Sequence, residues 1–149
     1  MPASARSSLT CARRPSGGAP LFYHSGVLDP PSEALPDIGD DPRFHAAIAM
    51  LAAHDFFEAS DELEELFFEA VRDEVEFARV FLQLAAGGVH LERRQWRAAA
   101  QRLDEAVRAI ARVTNDRGFD FVRMAAELRT VMAQVRQGSA FEWPRVLRR

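Results

Sequence analysis

From Pro42 onward, apolar residues recur at steps of three and four, the spacing that lines one face of an α-helix. Before Pro42 no such period exists. The first periodic segment, about residues 43–53, follows Asp41-Pro42, an acid and a first-turn proline suited to opening a helix, and buries Phe44, Ile48 and Leu51. His54 then occupies a helix-exit turn. Asp55, with Glu58 three residues on, predicts a capping box for a second helix over about residues 56–72. Its inward positions are Phe56, Ala59, Leu63, Leu66, Phe67 and Ala70, while Glu58, Asp61, Glu62, Glu65 and Glu69 face water. A third helix, about residues 75–93, carries apolar residues round nearly its whole circumference, which marks the central helix of a bundle. Gly87-Gly88 would cost that helix about 1 kcal/mol per glycine relative to alanine, so a close helix crossing or a local bend is expected there. A fourth helix, about residues 96–113, turns inward with Ala99, Leu103, Ala106, Val107 and Ile110. A fifth, about residues 120–136, ends at Gly138, and Phe141 and Trp143 predict a tail folded back onto the bundle.

The pattern contains an internal echo. Residues 55–65 align with residues 95–105, aromatic Phe56 on Trp96, Ala59 on Ala99, Leu63 on Leu103 and Glu65 on Glu105. Two helices with the same opening and the same buried face predict an all-α fold, a compact bundle of about five helices built from stacked antiparallel helical hairpins. The hairpins look somewhat like tetratricopeptide repeats, although the 40-residue offset departs from the usual spacing of about 34 and the units are too few for a solenoid.

The domain reading is a disordered leader over residues 1–42 and a single helical-bundle domain over 43–149. Seven of the eight prolines fall at or before Pro42, in a stretch that buries too little apolar area to offset its ordering entropy, so the leader is expected to be dispensable for folding down to about Asp40. Its first 28 residues hold three arginines and no acid, as in a transit peptide, but lack an amphipathic face, and no apolar stretch forms a secretory signal. Val27 offers an alternative GUG start.

Composition excludes more than it assigns. Apolar residues make up 48% and charged residues 28%, as in ordinary globular proteins. The lone cysteine, Cys11, rules out an intrachain disulfide and a cysteine-rich metal site, and points to a reducing cytoplasm. The longest apolar run, near Val80 to Val89, is broken by Gln83 and falls short of the roughly 20 residues that cross a bilayer, so no membrane span is expected. The net charge of −3 hides an asymmetry: residues 43–92 hold three arginines against eleven acids, and residues 93–149 hold thirteen arginines against six. Acidic helices lying beside basic ones within the bundle account for this. A nucleic-acid-binding accessory protein using the arginine-rich C-terminal half is the weaker reading, because no Lys/Arg block with interleaved aromatics occurs.

One constellation carries potential chemistry. Ser60, Glu64 and Phe67 stand at i, i+4 and i+7 along the edge of the second helix's apolar face, and Arg79, Gln83 and His90 form the only polar stripe of the third. If the stripes face each other they enclose a small polar site between helices, where bundles commonly hold ligands and metals. The ordinary alternative is a hydrogen-bond network among Glu64, Gln83 and His90 that fixes helix register. His24, His45 and His54 lie outside both stripes, as surface or capping residues.

These residues resemble a known family. Asp55 to Phe67, then Phe81-Leu82-Gln83-Leu84-Ala85-Ala86, His90 and Trp96-Arg97-Ala98-Ala99, are similar to the domain-of-unknown-function 309 family of bacteria and archaea, over roughly residues 44–112. The resemblance brings no assigned reaction. It implies a motif of histidine, three residues, glutamate, two residues and an aromatic, usually Trp or Tyr, suggested to bind metal. Here the glutamate falls on Glu64, the aromatic on Phe67 and the histidine position on Ser60, which removes the best ligand. Gln83 and His90 match other recurrent positions of the family. Glu64, His90 and Asp61 remain as a weak donor set.

The sequence therefore predicts a non-enzymatic helical protein without a cofactor, acting through helix-face contacts with a protein partner or with itself. The alternative is a metal- or small-ligand-dependent enzyme with its site between the second and third helices.

Overall fold

The computed structural model describes residues 35–139 and 142–143. The expectations for residues 1–34, including Cys11 and His24, and for Phe141 lie outside the described residues. Among the described residues five helices follow a 3-10 turn at Ile38–Asp40: α1 Pro42–Ala53, α2 Phe56–Glu69, α3 Glu74–Glu92, α4 Trp96–Ile110 and α5 Phe121–Arg136. Among the described residues there is no strand, and the helices pack into a bundle in which each lies chiefly against its neighbours in sequence.

The predicted starts hold to within about a residue because the capping chemistry is local. Asp41 accepts the Arg43 amide at 2.8 Å, with Pro42 at the first helical position. At the other end of α1, His54 adopts a left-handed conformation (φ 66°) and Asp55 N–H donates to the Met50 carbonyl at 2.9 Å, closing the helix in a Schellman-type bond. Forty residues later the geometry recurs: Arg94 has φ 57° and Gln95 N–H donates to the His90 carbonyl at 2.8 Å. The echo in sequence is thus an echo in the turns as well as in the buried faces.

Three local expectations fail, one of them at the fourth helix, which stops at Ile110 instead of running to about Val113. Asp55 makes no side-chain capping bond, and it holds the turn through its backbone alone, N–H to Met50 and C=O to the Ala59 amide. The second helix stops at Glu69 instead of running to Arg72. Ala70 is extended there, Arg72 has φ 53°, and the Glu74 carboxylate accepts the Val71 amide at 3.1 Å, a bond that competes with another helical turn.

The core is aromatic. Phe44 of α1, Phe77 and Phe81 of α3, Phe119 and Phe121 form a cluster with ring centroids 5.0–6.1 Å apart, mostly edge-to-face. The central place expected for α3 is observed, and its two glycines explain how. A β-carbon on Gly88 would lie 2.3 Å from Cδ1 of Phe56 in α2, and one on Gly87 would lie 2.8 Å from Cδ2 of Leu103 in α4. Each glycine admits a neighbouring helix on its own side, so the close crossing, rather than a bend, is their role. Trp143 lies against Phe56, ring centroids 4.6 Å apart and planes tilted by 58°, as the fold-back of the tail requires.

Arg117 ties distant parts together. Its guanidinium, only 6% exposed, pairs with Asp37 at 2.7 and 2.9 Å and with Asp73 at 3.0 Å, and lies over the Phe77 ring at 4.7 Å. Through hydrogen bonding, Arg117 holds the Asp37 carboxyl below its usual range, and Asp37 raises Arg117 in return. Next to Asp37, Ile38 is buried in the core and donates its amide to Glu74 at 3.0 Å. Packing onto the bundle therefore begins ahead of the first long helix, within the residues assigned to the leader. The acidic and basic halves meet at Asp73–Arg117 and at Glu76–Arg112, 3.1 Å. Other pairs stay within one half, such as Arg43 with Glu69 at 2.6 Å.

Candidate functional site

The α2 and α3 stripes touch at one point. The Arg79 guanidinium sits 5.2 Å above the Phe67 ring, with its Nε buried and not hydrogen-bonded, and 3.5 Å from Glu76. Beyond that point the stripes diverge. Gln83 accepts from Arg102 of α4 at 3.4 Å, and His90 Nδ1–H donates to Gln95 Oε1 at 2.6 Å in the α3–α4 turn. Ser60 is half-buried and Glu64 exposed, and neither has a hydrogen-bond or ion-pair partner among the described residues. Among those residues no three His, Cys, Asp or Glu side chains converge as metal ligands, so Glu64, His90 and Asp61 do not share a site.

The predicted Glu64–Gln83–His90 network is therefore absent, and rotation about the helix axes explains why. Glu64 lies roughly 100° round α2 from Leu63, a residue at the centre of its buried face. On α3, Gln83 and His90 lie roughly 140–160° round from Gly88, the residue against which α2 seats, so they turn to α4 and to solvent.

Residues 44–102 match the model of a protein family described as a domain of unknown function (DUF309). Over this segment the chain is similar to DUF309. It runs from Phe44 of α1 through α2 and α3 into α4, so it includes the first echoing segment, the opening of the second and the α3 glycines, while residues 103–105 of the echo and α5 follow it. No curated protein and no solved structure matches the chain. The Ser60, Glu64 and Phe67 positions all fall inside the DUF309 segment, on the stretch of α2 that leads from its core face towards water.

What that stretch leads to is a surface the periodicity reading passed over. Phe57 and Phe68 are 55% and 76% exposed, and Val71 beyond the end of α2 is 55% exposed. Phe57, Asp61, Glu64 and Phe68 stand at i, i+4, i+7 and i+11 and form one stripe opposite the core face. Glu58, Asp61, Glu62, Glu64 and Glu65 have no ion-pair partners among the described residues; of the α2 acids only Glu69 is paired. The sequence did hold a signal. In each doublet, Phe56-Phe57 and Phe67-Phe68, a turn of about 100° per residue prevents both rings from entering one core.

A second surface lies between α4 and α5. A groove of about 770 Å³ is lined by Trp96, Arg97, Ala100, Gln101, Val135 and Arg136, among others. Trp96 is 46% exposed in it, whereas Phe56, its counterpart in the echo, is 5% exposed under Trp143. Arg97 and Arg136 are exposed and have no acidic partner among the described residues, while the nearby Asp104 is taken up by Arg108 at 2.9 Å. No described helix is long and apolar enough to cross a membrane.

Proposed function

We propose that this protein is a non-enzymatic contact module, its hairpins a repeated frame that presents the outer face of α2 to a protein partner. The observation that carries this reading is the pairing of exposed Phe57 and Phe68 with unpaired Asp61 and Glu64 on a single helical face. Two aromatic rings held in water on a rigid helix lose hydrophobic stabilisation that a partner surface would return, and flanking carboxylates give such a contact orientation and specificity. A face of this type suits helix-in-groove recognition, in which anchors at i, i+4, i+7 and i+11 enter an apolar channel with a basic rim. The polar groups between α2 and α3 support no second reading, since Gln83 and His90 engage α4 and its turn while Glu64 faces water.

The test is a photo-reactive amino acid placed at Phe68 in the full chain and irradiated in living cells. A discrete adduct is expected at this position, absent when the probe sits at exposed Arg129 and diminished by Asp61→Arg with Glu64→Arg. No adduct, or the same adducts from both positions, would remove the contact reading.

A further inference from the structure

Resting on the contact reading above, we infer that one occupant of the α2 face is a second copy of this chain, received in its α4/α5 groove. The two surfaces are complementary in both chemistry and size. The α2 face offers exposed Phe57 and Phe68 with five unpaired acids and no base, and the groove offers the Trp96 ring, the Ala100 and Val135 side chains and two unpaired arginines, Arg97 and Arg136. From Glu64 to Phe68 is about 6 Å along the helix, and from Trp96 to Asp104 about 12 Å, so the groove has length for one phenylalanine and its neighbouring carboxylate. Each partner supplies what the other lacks. Placing Phe68 against Trp96 removes two exposed aromatics from water, and the Glu64 carboxylate then meets Arg97 or Arg136 at the rim.

The contact is head-to-tail, because the face and the groove are different surfaces of the same molecule. One contact leaves a free face at one end and a free groove at the other, so association proceeds by addition and has no twofold dimer as its natural stop. Since the rim contacts are ionic and exposed, added salt weakens it.

Light scattering and sedimentation of the purified full chain over a wide concentration series test this directly. The mean mass is expected to rise with concentration without levelling at two copies, and to fall as salt is added. Phe57→Ser with Phe68→Ser disables the face, and Arg97→Glu with Arg136→Glu disables the groove; each altered chain alone is expected to stay monomeric, its association weakened at least about tenfold. Because all four positions are exposed, circular dichroism should show both variants folded. The decisive measurement is the mixture. The groove variant keeps an intact face and the face variant an intact groove, so together they should form a one-to-one pair that grows no further. A parent chain monomeric throughout, a mixture that remains monomeric, or association unchanged in either variant would overturn the inference. The contact reading fails separately: an in-cell adduct to a different protein beside a monomeric chain keeps that reading and removes only self-assembly.

Discussion

Helices α2 and α4 share an opening, a turn and a buried face, yet they meet the rest of the molecule differently. Ala59 and Ala99, and Leu63 and Leu103, are all fully buried, and each helix seats one side chain, Phe56 or Leu103, on an α3 glycine. Each has a second neighbour, α1 for α2 and α5 for α4, but a groove opens between α4 and α5, while α2 leaves Phe57 and Phe68 in water. Even the aromatic pair separates, Phe56 lying under Trp143 and Trp96 standing open. The lesson is that repetition preserves the positions that fix helix spacing and releases the outward ones. Packing can then be read from the echo, and function has to be sought where the echo breaks.

The largest expected effect tests the shared half of this comparison. Leu63→Ala and Leu103→Ala should each cost about 2–5 kcal/mol in denaturant melts, by similar amounts, since both delete a fully buried leucine at matching positions of the echo. A loss at one site only would show that the two helices do not bear on the core equally. Next come the glycines that seat them. Gly88→Ala should destabilise by about 1–3 kcal/mol, because the new methyl meets the Phe56 ring, itself pinned by Trp143. Gly87→Ala meets Cδ2 and Cγ of the fully buried Leu103 at 2.8 and 3.2 Å, a less severe clash, and the gain in helix propensity, about 1 kcal/mol, should make its loss in thermal melts smaller than that of Gly88→Ala.

A third prediction concerns the clasp that neither repeated unit contains. Arg117→Met should cost about 1–2 kcal/mol, a value kept small by the partial exposure of Asp37. The pH dependence follows from the depressed Asp37 carboxyl. The folded state binds its proton less readily than the unfolded chain, so the stabilisation is complete above pH about 4 and is lost as pH falls through the lower, folded value. Melting from neutral pH down to acid should show this loss, reduced in the Arg117→Met chain. Asp41 and Glu69, both lowered by Arg43, act in the same direction, so a residual acid sensitivity should remain in that variant.

The smallest effect sharpens the contrast most. Glu64→Ala and Phe68→Ser should change monomer stability by no more than about 0.5 kcal/mol, because neither side chain has a hydrogen-bonded or ionic partner to strand and both are exposed. A loss above about 1 kcal/mol from Glu64→Ala would restore the register network expected from sequence.

How much was legible follows the range of the physics involved. Helix starts depend on a few adjacent residues, so Asp41-Pro42 and the His54 turn were readable. The end of α2 depends on the Glu74 carboxylate reaching back to Val71, and the core role of Arg117 depends on Asp37, 80 residues away, and neither announces itself by period. The candidate polar site failed for a related reason. Spacing told which residues share a stripe, but the rotation of α3 was decided by the glycines facing Phe56 and Leu103, and it turned Gln83 and His90 away from Glu64.

The two long-range clasps, Asp37–Arg117 and Phe56–Trp143, also bear on the rates at which the chain folds and opens. A bundle whose helices lie mostly on their sequence neighbours gains its contacts by short loop closures, which favours fast folding. The clasps join segments far apart in the chain, so they are expected to form after the helices have assembled, beyond the folding barrier. Interactions made that late slow unfolding without hastening folding. Weakening either clasp should therefore leave the refolding arm of a chevron in place and raise the unfolding arm, so the closed bundle persists longer than its quick assembly would suggest.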